Sequence, residues 1–223
     1  MSIPAPITPE NVAAAWQVRP VGVAWPGRSH GLSAAVFAGR GSRELELVLP
    51  SSPDTHVISV ELASFDLNLE VDGRVTHAGT VRRNQCELIR AGERVIARVT
   101  ADWRVVQFYL PVDVIGQAVE ALGMPICQAR GLELIPPRFT RDPLIARLGR
   151  MVDARLRRGG EFFRLEFDDM ALTLAERPVR RHSSITPPHR AADTSAKTLV
   201  FETVFIWIGR NHREPPSRSQ KKS

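Results

Sequence analysis

A two-residue period governs the chain from about residue 31 to residue 110. From Phe65 to Val71 the apolar Phe65, Leu67, Leu69 and Val71 alternate with Asp66, Asn68 and Glu70, as on a strand with one buried and one wet face. Asp72 and Gly73 then form a pair that tolerates positive φ, and residues 74–78 return, so the segment predicts a hairpin. Similar alternation recurs in Leu45, Leu47 and Leu49, in His56, Ile58, Val60 and Leu62, and in Val95, Ala97 and Val99. Residues 103–110 are apolar on both faces, the mark of a central strand. Roughly seven or eight short strands, separated by Gly, Pro, Asn and Asp, imply a sandwich or barrel.

After Pro111 the period becomes helical. The pattern predicts helices near 113–122, 142–158 and 161–177. Asp113 is the expected N-cap of the first and Gly123 its stop. The second has Asp142 as cap, Pro143 in the first turn and Gly159 and Gly160 at its end. Its stripe of Leu144, Leu148, Met151, Val152 and Leu156 suits either core packing or a dimer interface. The third places Phe163, Phe167, Met170, Ala171 and Leu174 on one side, with Pro178 expected to halt it. Strands first and helices after make the fold class mainly β with α, a barrel or sandwich followed by two or three packed helices.

Charge divides the chain more sharply than composition does. The net charge of +6 would ordinarily point to an anionic partner. Residues 1–177 are neutral, however, with 21 Arg against 21 Asp and Glu, and residues 178–223 carry nine basic and three acidic side chains. All three lysines, Lys197, Lys221 and Lys222, also fall in the last part. Cys86 and Cys127 lack a CxxC spacing, and "MSIPAPITPE" has neither the basic nor the apolar region of a signal peptide, so a cytoplasmic protein with reduced thiols is expected. No apolar run is long enough to span a membrane.

Candidate chemistry is sparse. There is no GxSxG elbow, and "GRGS" at residues 39–42 lacks the Walker spacing and reads as a hairpin turn. The "RLRRGG" run at 155–160 suits a solvated helix end, where cations are favoured. Of six histidines, His182, His189 and His212 lie in the basic tail, which leaves His30, His56 and His77. With no HxH, a metal site would require His56, Glu61 and His77 to converge from separate strands, so no metal and no catalytic residue is assigned. For a ligand cavity the candidates are His56, by parity with Ile58 and Val60, and Trp103, Gln107 and Tyr109, which share one face of their strand.

Several segments together resemble a known family. These are "VISVELASFDLNLEVDGR", "CELIRAGERVIARVTADWRVVQFYLP", a linking helix ending in "ALG", and above all "DPLIARL" and "DDMALTLAERPVRRHS". In that order, over about residues 30–182, the chain is similar to the N-terminal half of AraC-type (AraC/XylS) transcriptional regulators. The resemblance implies a cupin-like (jelly-roll) barrel with helices that binds a small-molecule effector without metal or other cofactor and forms a homodimer, or a heterodimer with an intact relative.

It also implies a DNA-reading double helix-turn-helix beyond the last helix. Residues 183–223, "SITPPHR" onward, show no such pattern. The expected organisation is an N-terminal arm at 1–30, a sensor and dimerisation domain at 31–182, and an irregular basic tail at 183–223. A frameshift or truncation near residue 183 would account for that tail, and specific DNA binding by this chain alone is not expected. Two other readings stay open: a small cupin-fold enzyme, an isomerase or dioxygenase, and a dimeric module with a nucleic-acid-binding tail.

Overall fold

A computed structural model describes residues 7–24, 31–41, 44–123, 138–159 and 164–182, with side chains from residue 169 onward in the last segment. The expected tail at 183–223, Gly160 and the side chains of Phe163 and Phe167 lie outside the described residues. No helix among the described residues is long and apolar enough to cross a membrane.

The strands are β1 (Gly22–Ala24), β2 (Ser33–Gly39), β3 (Leu45–Leu49), β4 (Thr55–Glu61), β5 (Phe65–Val71), β6 (Arg74–Val81), β7 (Gln85–Ile89), β8 (Val95–Val99), β9 (Trp103–Pro111) and β10 (Thr140–Arg141). The helices are α1 (Pro9–Trp16), α2 (Val112–Ala121), α3 (Pro143–Arg157) and α4 (Arg164–His182).

The β5–β6 hairpin is the hub. Asp72 and Gly73 adopt φ of 50° and 77°, as the sequence pair predicts for a tight turn. Around this hairpin β4 pairs with β7, β3 with β8 and β2 with β9, all antiparallel. Four nested pairs are one long hairpin, and rolled up it gives the sheet orders β2-β9-β4-β7 and β3-β8-β5-β6, a jelly roll. β1 and β10 extend the first sheet at its two edges.

Burial divides into two layers. Between the sheets lie Phe37, Leu47, Leu49, Phe65, Leu67, Leu69, Val95, Val99, Trp103 and Tyr109. On the outer face of the six-stranded sheet, Ile58, Val60, Val106 and Phe108 meet residues of α2, α3 and α4. β9 is buried on both faces because it sits in the middle of that sheet with helices behind it. The α3 stripe packs inward: Leu148 and Val152 are buried, and Met151 and Leu156 lie against the same cluster, with Leu144 half-buried. Within this chain Leu148 and Val152 of the stripe are core, while Leu144, Met151 and Leu156 keep part of their surface open.

The described part of the N-terminal arm contains α1 and β1. Thr8 caps α1, its side chain accepting from the Asn11 N–H, and Ile7, Val12 and Trp16 bury themselves between the sheets. "GRGS" does not close a hairpin, because β2 and β3 belong to different sheets; the Gly41 N–H donates to Asp102 Oδ1 at 3.1 Å instead. Asp113 is not a cap: α2 starts from Pro111 with no side-chain cap, and the Val112 N–H donates to the Asp54 carbonyl.

Nor does Pro178 end α4, which runs on to His182. A helix-interior proline costs about 3 kcal/mol through its missing N–H and its ring clash. That cost is offset by the burial of Leu174, Ala175 and Val179 in the cluster with α2 and the sheet and by ion pairs of Arg177 and Arg181 with Asp142 on either side of the proline.

Candidate functional site: a cavity with one polar wall

A cavity of about 60 Å³ lies between the two sheets. Its four-stranded wall is hydrocarbon throughout: Leu47 and Leu49 of β3, Phe65, Leu67 and Leu69 of β5, and Val95, Ala97 and Val99 of β8. The opposite wall differs. Ser59 on β4 stands in register with Gln107 on β9 and with Glu87 on β7, so three polar side chains cross the sheet in one row. Glu61, two residues along β4, extends that row.

Aromatic rings from outside these strands flank the cavity. Trp16 of α1 lies 5.0 Å from Phe37 and 6.0 Å from Trp103 between ring centroids, and its Nε1–H donates to the Val48 carbonyl at 3.1 Å. Phe139, just before β10, packs at 4.6 Å on the His77 ring of β6, while Gln85 donates to its carbonyl at 2.7 Å.

The polar groups are unequally satisfied. Glu87 is fully engaged: Arg138 donates to Oε1, and the Phe139 N–H donates to Oε2 at 2.8 Å. Burial raises its pKa, and these donors oppose the rise. Glu93, behind it, binds Arg90 at 2.8 Å and Arg138 at 3.3 Å.

Glu61 is 3% exposed. Ser59 Oγ donates to its Oε1 at 3.0 Å, but its Oε2 is buried without a partner. Burial pushes this carboxyl up to about 8; the Ser59 hydrogen bond opposes the shift and the neighbouring Glu87 adds to it. At neutral pH Glu61 is therefore mostly a neutral acid. Tyr109, buried, donates from its hydroxyl to Gln107 Oε1 at 2.7 Å, which turns the Gln107 amide nitrogen toward other partners. Burial raises the Tyr109 pKa well above its ordinary value, so it stays a donor.

Trp103 and Gln107 thus line the cavity, and Tyr109 supports Gln107 from the same face of β9. His56 lies elsewhere. Its parity with Ile58 and Val60 puts it on the helix-covered face of β4, where Nδ1 accepts from the Ala91 N–H at 3.0 Å. Burial lowers its pKa to about 4, so it is a neutral structural acceptor. The inward residues of β4 are those at odd positions, Ser59 and Glu61. The sequence signal that marks them is a charged or amide residue set among apolar neighbours in an otherwise buried strand: Glu61 in "SVEL", Glu87 in "QCELI" and Gln107 in "VVQFYL".

The same parity bears on a metal. Glu61 faces the cavity, His56 faces the helices, and His77 stacks on Phe139, so the three do not converge. Among the described residues no group of three His, Cys, Asp or Glu is placed to hold a metal ion.

No protein-family model matches the chain, and no curated protein matches it. Among solved structures it is similar to the cupin domain of Cnp3 from Schizosaccharomyces pombe, at 10% identity and a TM-score of 0.33 over 40% of this chain and 58% of that one. It is also similar to the EutQ protein of Clostridium difficile, at 15% identity and a TM-score of 0.27 over 36% and 56% of the two chains. BH2720 of Bacillus halodurans matches at 16% identity and a TM-score of 0.33 over 48% and 83%. The chain spans a little over half the length of Cnp3's cupin domain and of EutQ. The domain is a cupin-like jelly roll. Its own strand order, four nested antiparallel pairs in two sheets, establishes that.

Proposed function

We propose that this domain is the ligand-sensing and dimerisation portion of an AraC-type transcriptional regulator, and that the cavity between its sheets receives a small-molecule effector. The observation that carries this reading is the polar row facing a hydrocarbon wall, with one buried carboxyl oxygen left unpartnered. A buried polar atom without a partner costs roughly 1–3 kcal/mol, and a bound molecule that satisfies it recovers that cost. The resemblance of "DPLIARL" and "DDMALTLAERPVRRHS" to AraC-type regulators supplies the rest, since both segments form the helices packed on the barrel. On this reading the protein is cytoplasmic and has no catalytic activity.

A small-molecule library screened by thermal shift tests the sensor reading, with analytical ultracentrifugation for the dimer. A compound that raises the melting temperature and loses that effect in Glu61→Leu supports it; a monomer that no compound stabilises counts against it. A second reading, an enzyme on the same scaffold, draws on Glu61 as an acid with a pKa near neutrality. Elemental analysis of the purified protein separates the two, because stoichiometric iron, manganese or zinc would favour the enzyme.

A further inference from the structure

The polar wall presents donors. With Ser59 donating to Glu61 Oε1, that oxygen is the carbonyl end of the neutral acid and the buried Oε2 carries the proton. On the neighbouring strand, Tyr109 occupies Gln107 Oε1, so the Gln107 side that remains for a ligand is its amide N–H. Ser59, directly opposite Gln107 and bonded to Glu61, brings the two donors to the same part of the wall.

Charge narrows the ligand further. The charged groups that face Glu61 are Glu87 on β7 and, behind it, Arg138, whose guanidinium is already divided between Glu87 and Glu93. An anionic ligand would find no unclaimed cation here and two carboxyls nearby. A cationic ligand would require Glu61 to ionise against its burial, beside Glu87. The opposite wall, from Leu47 to Val99, offers only hydrocarbon.

We propose that the cavity selects a small uncharged molecule bearing a carbonyl-type acceptor oxygen, held by Glu61 Oε2 and Gln107 Nε2 with its hydrocarbon part against Leu67, Leu69 and Val99. This rests on the reading of the cavity as the ligand site. Simple amines and carboxylates of the same carbon skeleton are excluded by the charge arrangement, and plain hydrocarbons leave the donors unmet. A cavity of about 60 Å³ favours a compact skeleton.

The test uses four probes of one skeleton: cyclopentanone, methylcyclopentane, cyclopentylamine and cyclopentanecarboxylate, each titrated into the full chain at neutral pH with the fluorescence of Trp16 and Trp103 and ligand-observed NMR as readouts. Cyclopentanone is expected to bind about tenfold more tightly than methylcyclopentane, as one to two added hydrogen bonds imply, and the two ions more weakly still. Glu61→Gln, which keeps a donor beside Ser59, should preserve that order; Glu61→Leu, which leaves only the Gln107 donor, should cut the preference for the ketone. Amine or carboxylate binding as tightly as the ketone would overturn the ligand class while leaving the cavity as a ligand site. Equal binding of ketone and hydrocarbon would overturn the role of the two donors. Binding by none of the four would overturn both this proposal and the cavity reading.

Discussion

Arg177 Nε donates to Asp142 Oδ2 at 2.7 Å, while the other oxygen of the same carboxylate accepts the N–H groups of Leu144 and Ile145 at 3.0 and 3.2 Å. One buried side chain thus starts α3 and anchors α4, with Arg181 adding a second cationic contact at 3.3 Å. Burial alone would raise the Asp142 pKa, yet Arg177, the backbone N–H of Ile145 and Arg181 together hold it below the ordinary range. The carboxylate is therefore ionised wherever the protein is folded near neutral pH.

Asp142→Ala removes the cap, worth about 1 kcal/mol, and strands the half-buried Arg177. A loss of about 2–4 kcal/mol in denaturant unfolding is expected. Asp142→Asn keeps an acceptor for the cap and should lose roughly half as much. Equal losses in the two variants would mean that the cap contributes nothing, and an unchanged Asp142→Asn would mean the same of the ion pairs.

Gly149 lies where α3 crosses β4. A Cβ built there would sit 2.8 Å from Val60 Cγ1 and 2.9 Å from its Cβ, inside contact distance of a β-branched side chain with little freedom to move. Helix propensity alone predicts that Gly149→Ala stabilises by about 1 kcal/mol. The close approach reverses that sign, and a net destabilisation of about 1–3 kcal/mol is expected. Val60→Ala in the same protein should relieve part of it, so a double-mutant cycle of melting temperatures separates clash from propensity.

The β architecture was legible because period-two alternation survives wherever one face stays wet, as on β5. The turn pair Asp72–Gly73 located the hub of the roll as well. Legibility fell where both faces are buried. β4 is buried at even and odd positions alike, so its apolar parity, Ile58 and Val60 with His56, did not mark the cavity face, which carries the polar Ser59 and Glu61. α1 was missed because its apolar contacts are with strands distant in sequence, and Pro178 misled because tertiary packing overrode local propensity.

Cys86 bears on solution behaviour. Burial pushes its thiol up to about 12, with the Asp142 N–H bond opposing the shift and the charges of Asp142 and Glu61 adding to it. Thiolate is the reactive form, so in a Cys127→Ala background Cys86 should resist iodoacetamide at neutral pH until the protein unfolds. Labelling followed by mass spectrometry across a urea series checks this; rapid modification without denaturant would contradict the burial of the β7 outer face.

Two buried groups set opposite limits on stability with pH. Glu61 titrates at about 8 in the folded chain against an ordinary 4.5, so between those values the folded state holds a proton that the unfolded state has released. Stability from this group is full below the lower value and is lost as pH rises through the higher one. His56 behaves in reverse: pushed down to about 4 from 6.5, it refuses a proton that the unfolded chain accepts, and its contribution is lost as pH falls from 6.5 toward 4. Between about pH 6.5 and pH 8 Glu61 dominates, since His56 is neutral in the fold and at most half charged in the unfolded chain there. The urea midpoint should therefore fall over that interval, by the equivalent of about 2 kcal/mol. Glu61→Gln cannot titrate, and its midpoint should stay level through the same window while the acid limb from His56 persists. A wild-type midpoint that does not move between pH 6.5 and pH 8 would show that Glu61 is ionised in the fold, and with it the donor on the polar wall would disappear.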